Sequence, residues 1–211
     1  MSGAQAAALT ELAASDPVMG RLVSELGELS FEHRRRGRPR GDAYGTLIRT
    51  VVGQQVSAKA AFTIHGRILE LYDGRHPTPE ELLDTDVGDL RAAGLSGRKV
   101  EYLRDLARHV IEGSLEVDRL HELSDEEVIA EIVAVRGLGE WSAHMFLMFF
   151  LERPDVLPTG DLGIRRAVQR LYDLAEPPAP AELRRIAEPW RPHRTLACIY
   201  LWESLANVPV E

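Results

Sequence analysis

The chain has 211 residues, 45% of them hydrophobic, and a formal net charge of −8, enough for one large domain or two small ones around a buried core. It holds no apolar run of about 18 residues, and its start lacks the basic and apolar regions of a secretory signal, so it reads as a soluble, cytoplasmic chain with no membrane partner. A single cysteine, Cys198, set in the apolar run LACIYLW, excludes a disulfide framework, a cysteine-ligated zinc site and an iron–sulfur cluster held by this chain, and it reads as a small core residue.

Almost every periodic segment predicts helix. Before residue 43 the sequence predicts one helix, Pro17 to Leu29, followed by an Arg-rich arm, Arg34 to Arg40, that suits either phosphate contact or a polar linker. Tyr44 to Gly53 and Ala58 to Tyr72 carry apolar residues at three- and four-residue spacing and are joined by a Gly-Gln-Gln corner. Thr78, Pro79 and Glu81 make a capping start for a short helix ending near Leu83, and Asp86 to Ala93 is another, stopped by Gly94. The turn Gly94-Leu95-Ser96-Gly97-Arg98-Lys99 reads as a helix stop and start, with a backbone contact to an anion as the alternative. Arg98 to Ile111 follows, and Ser124 to Glu127 repeats the capping box before a helix to about Val133. Glu140 to Leu151, Ala181 to Glu188 and Pro192 to Ala206 complete about ten helices, with no alternating strand pattern and no repeat. The fold class is all-α.

The net negative charge argues against a non-specific nucleic-acid coat. Its distribution is uneven: arginines gather at residues 34–40, 165–170 and 184–194, and acids at Glu80 to Asp89 and Glu122 to Glu131, which permits a basic face on an acidic protein. The segment IVAVRGLGEWSA, Ile132 to Ala143, places a Gly-x-Gly hairpin between helices, and a Gly-rich turn opening a helix presents free N–H groups to a phosphate. It is equally the pattern of a plain αα-hairpin. In PTGDLGIRRA, Pro158 to Ala167, Asp161 stands at a helix start, where a carboxylate is either a cap or a reactive group held ionised by the helix end.

Val135 to Ala143 resembles the hairpin of helix-hairpin-helix DNA glycosylases, and Gly160-Asp161-Leu162 resembles the segment carrying their aspartate. With Leu47 to Ala61, Ala93 to Ala107 and Glu188 to Trp202 in the same order, the likeness covers roughly Tyr44 to Trp202 and is nearest to the 3-methyladenine DNA glycosylase II (AlkA-like) branch. The resemblance implies two helical subdomains with the active-site cleft between them. It assigns residues 1–43 to an N-terminal helix and arm packing on a glycosylase domain, 44–211, with its hairpin at about 134–141. The prototype's additional N-terminal α/β domain has no room before Tyr44.

The same resemblance implies a monomer acting on double-stranded DNA that holds a damaged base, flipping out alkylated purines and removing them. Asp161 becomes the catalytic carboxylate. Gln55 becomes the wedge, with Gln54 beside it, where a well-known relative has leucine. Gly137, Leu138 and Gly139 grip the DNA backbone, Arg165 adds a contact, and Trp141, Trp202, Met145 and Tyr44 surround the base, although Met145 replaces an expected tyrosine. His144, Phe146 and Tyr200 are candidates for either pocket or core, and Trp190 reads as structural. A sodium or potassium ion is implied on the carbonyls of Val133, Val135 and Leu138, with no cofactor required. Trp141 stands where strand-cutting relatives carry a lysine nucleophile, and Lys59 and Lys99, the chain's only lysines, lie elsewhere. Base removal without strand cleavage follows. A glycosylase for deaminated or mismatched bases and a non-catalytic DNA-binding module remain the alternatives.

Overall fold

The computed structural model describes residues 3–29 and 42–206; the Arg34 to Arg40 arm lies outside them. Among the described residues there is no strand, and no helix is long and apolar enough to cross a membrane. In chain order the helices are α1 (Gly3–Ser15), α2 (Pro17–Leu26), α3 (Ala43–Gly53), α4 (Ala58–Glu70), α5 (Pro79–Asp84), α6 (Val87–Ala92), α7 (Gly97–Ile111), α8 (Asp125–Ala134), α9 (Glu140–Phe149), α10 (Leu162–Leu171), α11 (Pro180–Ile186) and α12 (Arg194–Ala206), with a 3₁₀ turn at Glu188–Trp190. They fall into two compact units. One joins the N-terminal helices to the chain from Leu147 onward, and the other is the stretch between, ending at Phe146 within α9.

In the first unit α2 and α10 both pack on α12, and α1 packs on α2. α1 was not expected. Its sequence is dominated by alanine, which favours helix but marks no apolar face, so only Leu9 and Leu12, both buried, define its inner side. Asp16 caps α2 by accepting from Val18 N at 2.7 Å and Met19 N at 3.1 Å. The Tyr200 hydroxyl donates to Gly27 O at 2.7 Å and accepts from Leu29 N at 3.1 Å, which secures the end of this segment to α12 and makes Tyr200 a core residue. Trp190 and Cys198 are fully buried here, as expected, and burial pushes the Cys198 thiol up, which keeps it inert.

The second unit is organised around α3, whose Leu47, Ile48, Val51 and Val52 are all 0% exposed. α4 and α7 pack on it, and α5 and α6 pack on α7. Both predicted capping boxes are present: Thr78 with Glu81, and Ser124 with Glu127. The Gly94 to Lys99 turn resolves as a stop and start, with Gly94 at φ 110° and Ser96 capping α7 through Lys99 N, while Gly97 is the first residue of the helix.

A hydrogen-bonded chain ties the start of α3 to α4. Asp42 caps α3 through Gly45 N, and its other oxygen accepts from His76 Nδ1 at 3.3 Å. His76 Nε2 lies 3.0 Å from His65 Nε2 on α4. Because the carboxylate can only accept, His76 carries its proton on Nδ1 and receives one from His65. Burial, reinforced by the Arg49 charge, pushes His65 down to about 4 from its ordinary 6.5. The unfolded chain therefore takes up this proton below 6.5 while the folded chain refuses it until about 4. That contribution to stability is complete above the upper value and is lost as the pH falls through the window. Denaturant unfolding between those values should show stability falling with acidification, and His65→Gln should flatten the slope; an unchanged slope would place the titration elsewhere.

Candidate nucleic-acid interface and carboxylate site

The second unit holds a cavity of about 970 Å³ bounded by the α3–α4 corner, the start of α7, the 135–139 hairpin and the first turns of α9. Arg49, Arg98 and Lys99 line it, and among the described lining residues there is no carboxylate. This is a local inversion of the chain's overall charge, which favours an anion in the groove.

The hairpin is built by backbone constraints. α8 stops at Ala134, and Val135, extended at φ −74° and ψ 125°, turns the chain with its side chain buried. Asp105 on α7 accepts from Arg136 N at 2.8 Å, and Glu101 pairs with the Arg136 guanidinium at 3.1 Å. Gly137 follows at φ 86°, lying on the ring of Tyr102 so closely that any Cβ would collide with the ring carbons. Two separate conditions thus demand glycine there. Leu138 is buried, and its N–H closes the turn on Val135 O at 3.1 Å. Gly139 differs, because a Cβ on it would meet nothing within 4 Å. Folding does not require a glycine at that exposed position, whereas a partner approaching the backbone would. From it α9 begins, with first-turn N–H groups that have no acceptor within the helix.

At the facing corner Gln55 is exposed and sits in the left-handed region at φ 54°, a conformation that costs a non-glycine residue energy. Gln54 does not reach outward: its Nε2 donates to Gly137 O at 2.8 Å. Gln54 also lines the cavity, so this bond ties the corner to the hairpin within the groove. Lys99 Nζ donates to Val52 O, 2.7 Å away, in the last turn of α3, and partial burial lowers its pKa. Neither the Lys99 tie to α3 nor any role for Tyr102 is read from the sequence, where their three-residue spacing on one face of α7 was the available signal.

Of the expected base-pocket residues, Trp141, 47% exposed, and the partly buried Met145 line this cavity. Tyr44 does not. It is buried in the core beside α3's other apolar residues, its hydroxyl has no hydrogen-bond partner among the described residues, and burial pushes its pKa up. Phe146 and His144 are buried as well.

The first unit carries Asp161 and Trp202. Asp161 is the N-cap of α10, its Oδ1 accepting from Ile164 N at 2.8 Å, and the same oxygen accepts from Trp202 Nε1 at 3.0 Å. Gly163 leaves room for this arrangement, since its Cβ would come within 3.2 Å of the indole and 3.0 Å of the carboxylate. Phe149 backs the indole with ring centroids 6.1 Å apart. The carboxylate is therefore fixed in rotation by a backbone donor and a side-chain donor together. Arg165, expected at DNA, directs Nε to Pro178 O at 2.8 Å and Nη2 toward Pro177 O at 3.5 Å, bracing the Pro-rich loop.

The model of the HhH-GPD superfamily of base excision DNA repair proteins matches residues 48–192. YfjP of Bacillus subtilis is 32% identical over 168 residues, covering 77% of this chain and 58% of that protein, so the chain spans little more than half of that relative. DNA-3-methyladenine glycosylase 1 of Schizosaccharomyces pombe is 36% identical over 171 residues, covering 80% of this chain and 75% of the relative. The solved structure of the Schizosaccharomyces pombe 3-methyladenine DNA glycosylase Mag1 in complex with abasic DNA matches with a TM-score of 0.82 and 32% identity, covering 97% of this chain and 98% of that one.

The two hairpin glycines should separate in a stability measurement. Gly137→Ala should cost about 1–3 kcal/mol through the Tyr102 clash and the positive φ, whereas Gly139→Ala should stay within about 0.5 kcal/mol of wild type. Equal thermal midpoints for both variants would contradict the packing described.

Proposed function

Since the chain belongs to the helix-hairpin-helix superfamily of base excision DNA repair proteins, we propose that it is a monofunctional DNA glycosylase that removes alkylated purines from duplex DNA, as a monomer, and leaves an abasic site. The observation that carries this reading is the doubly held carboxylate of Asp161. Breaking an N-glycosidic bond builds positive charge on the sugar, and a carboxylate that needs no reorientation lowers that barrier and orients the attacking water.

The groove supplies the grip. Backbone amides from Gly139 onward receive a phosphate, Arg49, Arg98 and Lys99 line the same cavity, and exposed Gln55 fills the gap left by the extruded nucleotide. Trp141 offers an aromatic face for a cationic alkylated base. It also occupies the place at which a lyase would need an amine, so water is the nucleophile and the strand stays intact.

The hairpin carbonyls fit a monovalent cation. The Val133 carbonyl belongs to the last turn of α8, at the negative end of the helix, and Val135 O keeps a lone pair beyond its bond to Leu138 N. With Leu138 O they would offer a neutral oxygen set, and a bound cation would add positive charge beside the phosphate.

Base release from duplexes holding single alkylated purines tests the proposal. Asp161→Asn should lose about 10²-fold or more in rate while its duplex affinity stays near wild type. Undiminished release would remove Asp161 from catalysis. Borohydride should trap no covalent adduct with abasic DNA, and a trapped adduct would refute the monofunctional reading. Gly139→Val should weaken binding to damaged and undamaged duplex alike; a loss confined to one lesion would contradict a backbone grip.

A further inference from the structure

We propose that Gln54 and Lys99 are positioning residues that couple the hairpin's hold on the DNA backbone to the presentation of Gln55. The inference rests on the DNA ligand proposed above, but it concerns a different step, the opening of the base stack. Gln55 is an exposed residue at the tip of a corner, held at a φ of 54° that a non-glycine residue does not adopt without support. Two side-chain ties supply that support from the two sides of the cavity. Lys99 Nζ, from α7, donates to Val52 O at 2.7 Å, near the end of α3, where the helix leaves its carbonyls without acceptor duty to later N–H groups. Gln54 Nε2, the side chain adjacent to Gln55, donates to Gly137 O at 2.8 Å.

Gly137 is itself immobilised on Tyr102, which shares α7 with Lys99. Hairpin, α7 and corner therefore form a closed ring of contacts within one unit. A phosphate seated on the hairpin amides acts on the same peptide segment whose carbonyl holds Gln54. Hairpin displacement is transmitted to Gln55 through a single side-chain amide and is resisted by the Lys99 strut. Removing either tie leaves the hairpin amides and Gln55 chemically intact while freeing the corner to relax out of its left-handed conformation.

The test compares Gln54→Leu and Lys99→Met with wild type and with Lys99→Arg, which retains a cationic donor. The substrates are a duplex with paired 7-methylguanine and the same strand unpaired. Each tie-breaking variant should lose about 10-fold in kcat on the paired lesion, the scale of one hydrogen bond to a positioned group. For Gln54→Leu, KM and affinity for undamaged duplex should change less than about 2-fold, because phosphate contacts set them, whereas Lys99→Met also removes a groove cation and should weaken binding to every duplex alike. On the unpaired lesion, where no stack has to be opened, the rates should return to within about 3-fold of wild type, and Lys99→Arg should recover most of the paired rate. Equal losses on paired and unpaired substrates, or a loss expressed in KM alone, would overturn the proposal.

A second readout separates this proposal from the glycosylase reading. A 2-aminopurine beside a tetrahydrofuran abasic site reports insertion of a side chain into the stack without any base release. Wild type should raise its fluorescence, and both variants should fail to do so at saturating protein. Wild-type-like fluorescence in the variants would overturn the positioning role even if base release is confirmed. A fluorescence defect in a chain whose wild type releases no alkylated base would refute the catalytic reading and leave the coupling standing.

Discussion

The contact between Gly137 and the face of Tyr102 is the constraint on which the nucleic-acid surface depends. Tyr102 lies on α7 between Lys99 and Asp105, and these three residues, at three-residue spacing, meet three different parts of the groove. Lys99 holds the end of α3, Tyr102 supports the hairpin glycine, and Asp105 accepts the Arg136 amide just before it. One helix face thus fixes both walls. This explains how a turn with two glycines keeps a defined geometry: part of its rigidity is borrowed from the helix beneath it.

The carboxylate site follows the same economy with different parts. The sequence left two readings of Asp161, a helix cap or a reactive group, and the structure makes them compatible. Capping by Oδ1 orients the carboxylate, and the Trp202 indole N–H on the same oxygen locks that orientation from α12. A cap that engaged only its own helix would fix the position of the side chain less completely than these two donors from different helices. Gly163, the second residue of α10, is the small residue that admits the indole edge.

Legibility of the fold tracked local chemistry. Both capping boxes, the Gly94 stop and the helix following Asp161 could be read directly, because each depends on residues within one turn of one another. α1 escaped because alanine supplies propensity without amphipathic contrast. The roles of Gln54, Arg165 and Tyr44 escaped for another reason. Each is decided by a partner far along the chain or around a loop: Gly137 O for Gln54, the Pro177 and Pro178 carbonyls for Arg165, and a wholly buried setting for Tyr44. A residue's place in a motif says which element carries it, and its contacts decide whether it faces a ligand or its own backbone.

The charge pattern reconciles an acidic chain with an anionic ligand. Acids dominate α5 and α8, where Glu80, Asp84 and Glu126 face solvent, and none of them enters the groove. Within the groove three cations act together with amide dipoles, and the amides contribute attraction without the strong long-range field of an excess of basic side chains. Such a surface suits a backbone phosphate at short range, where geometry matters, and would attract DNA only weakly from a distance. Under the proposed function, recognition would depend on what happens after contact, when the corner bearing Gln55 meets a base pair that either resists or yields, and a strongly basic face would blur that difference by binding every duplex tightly.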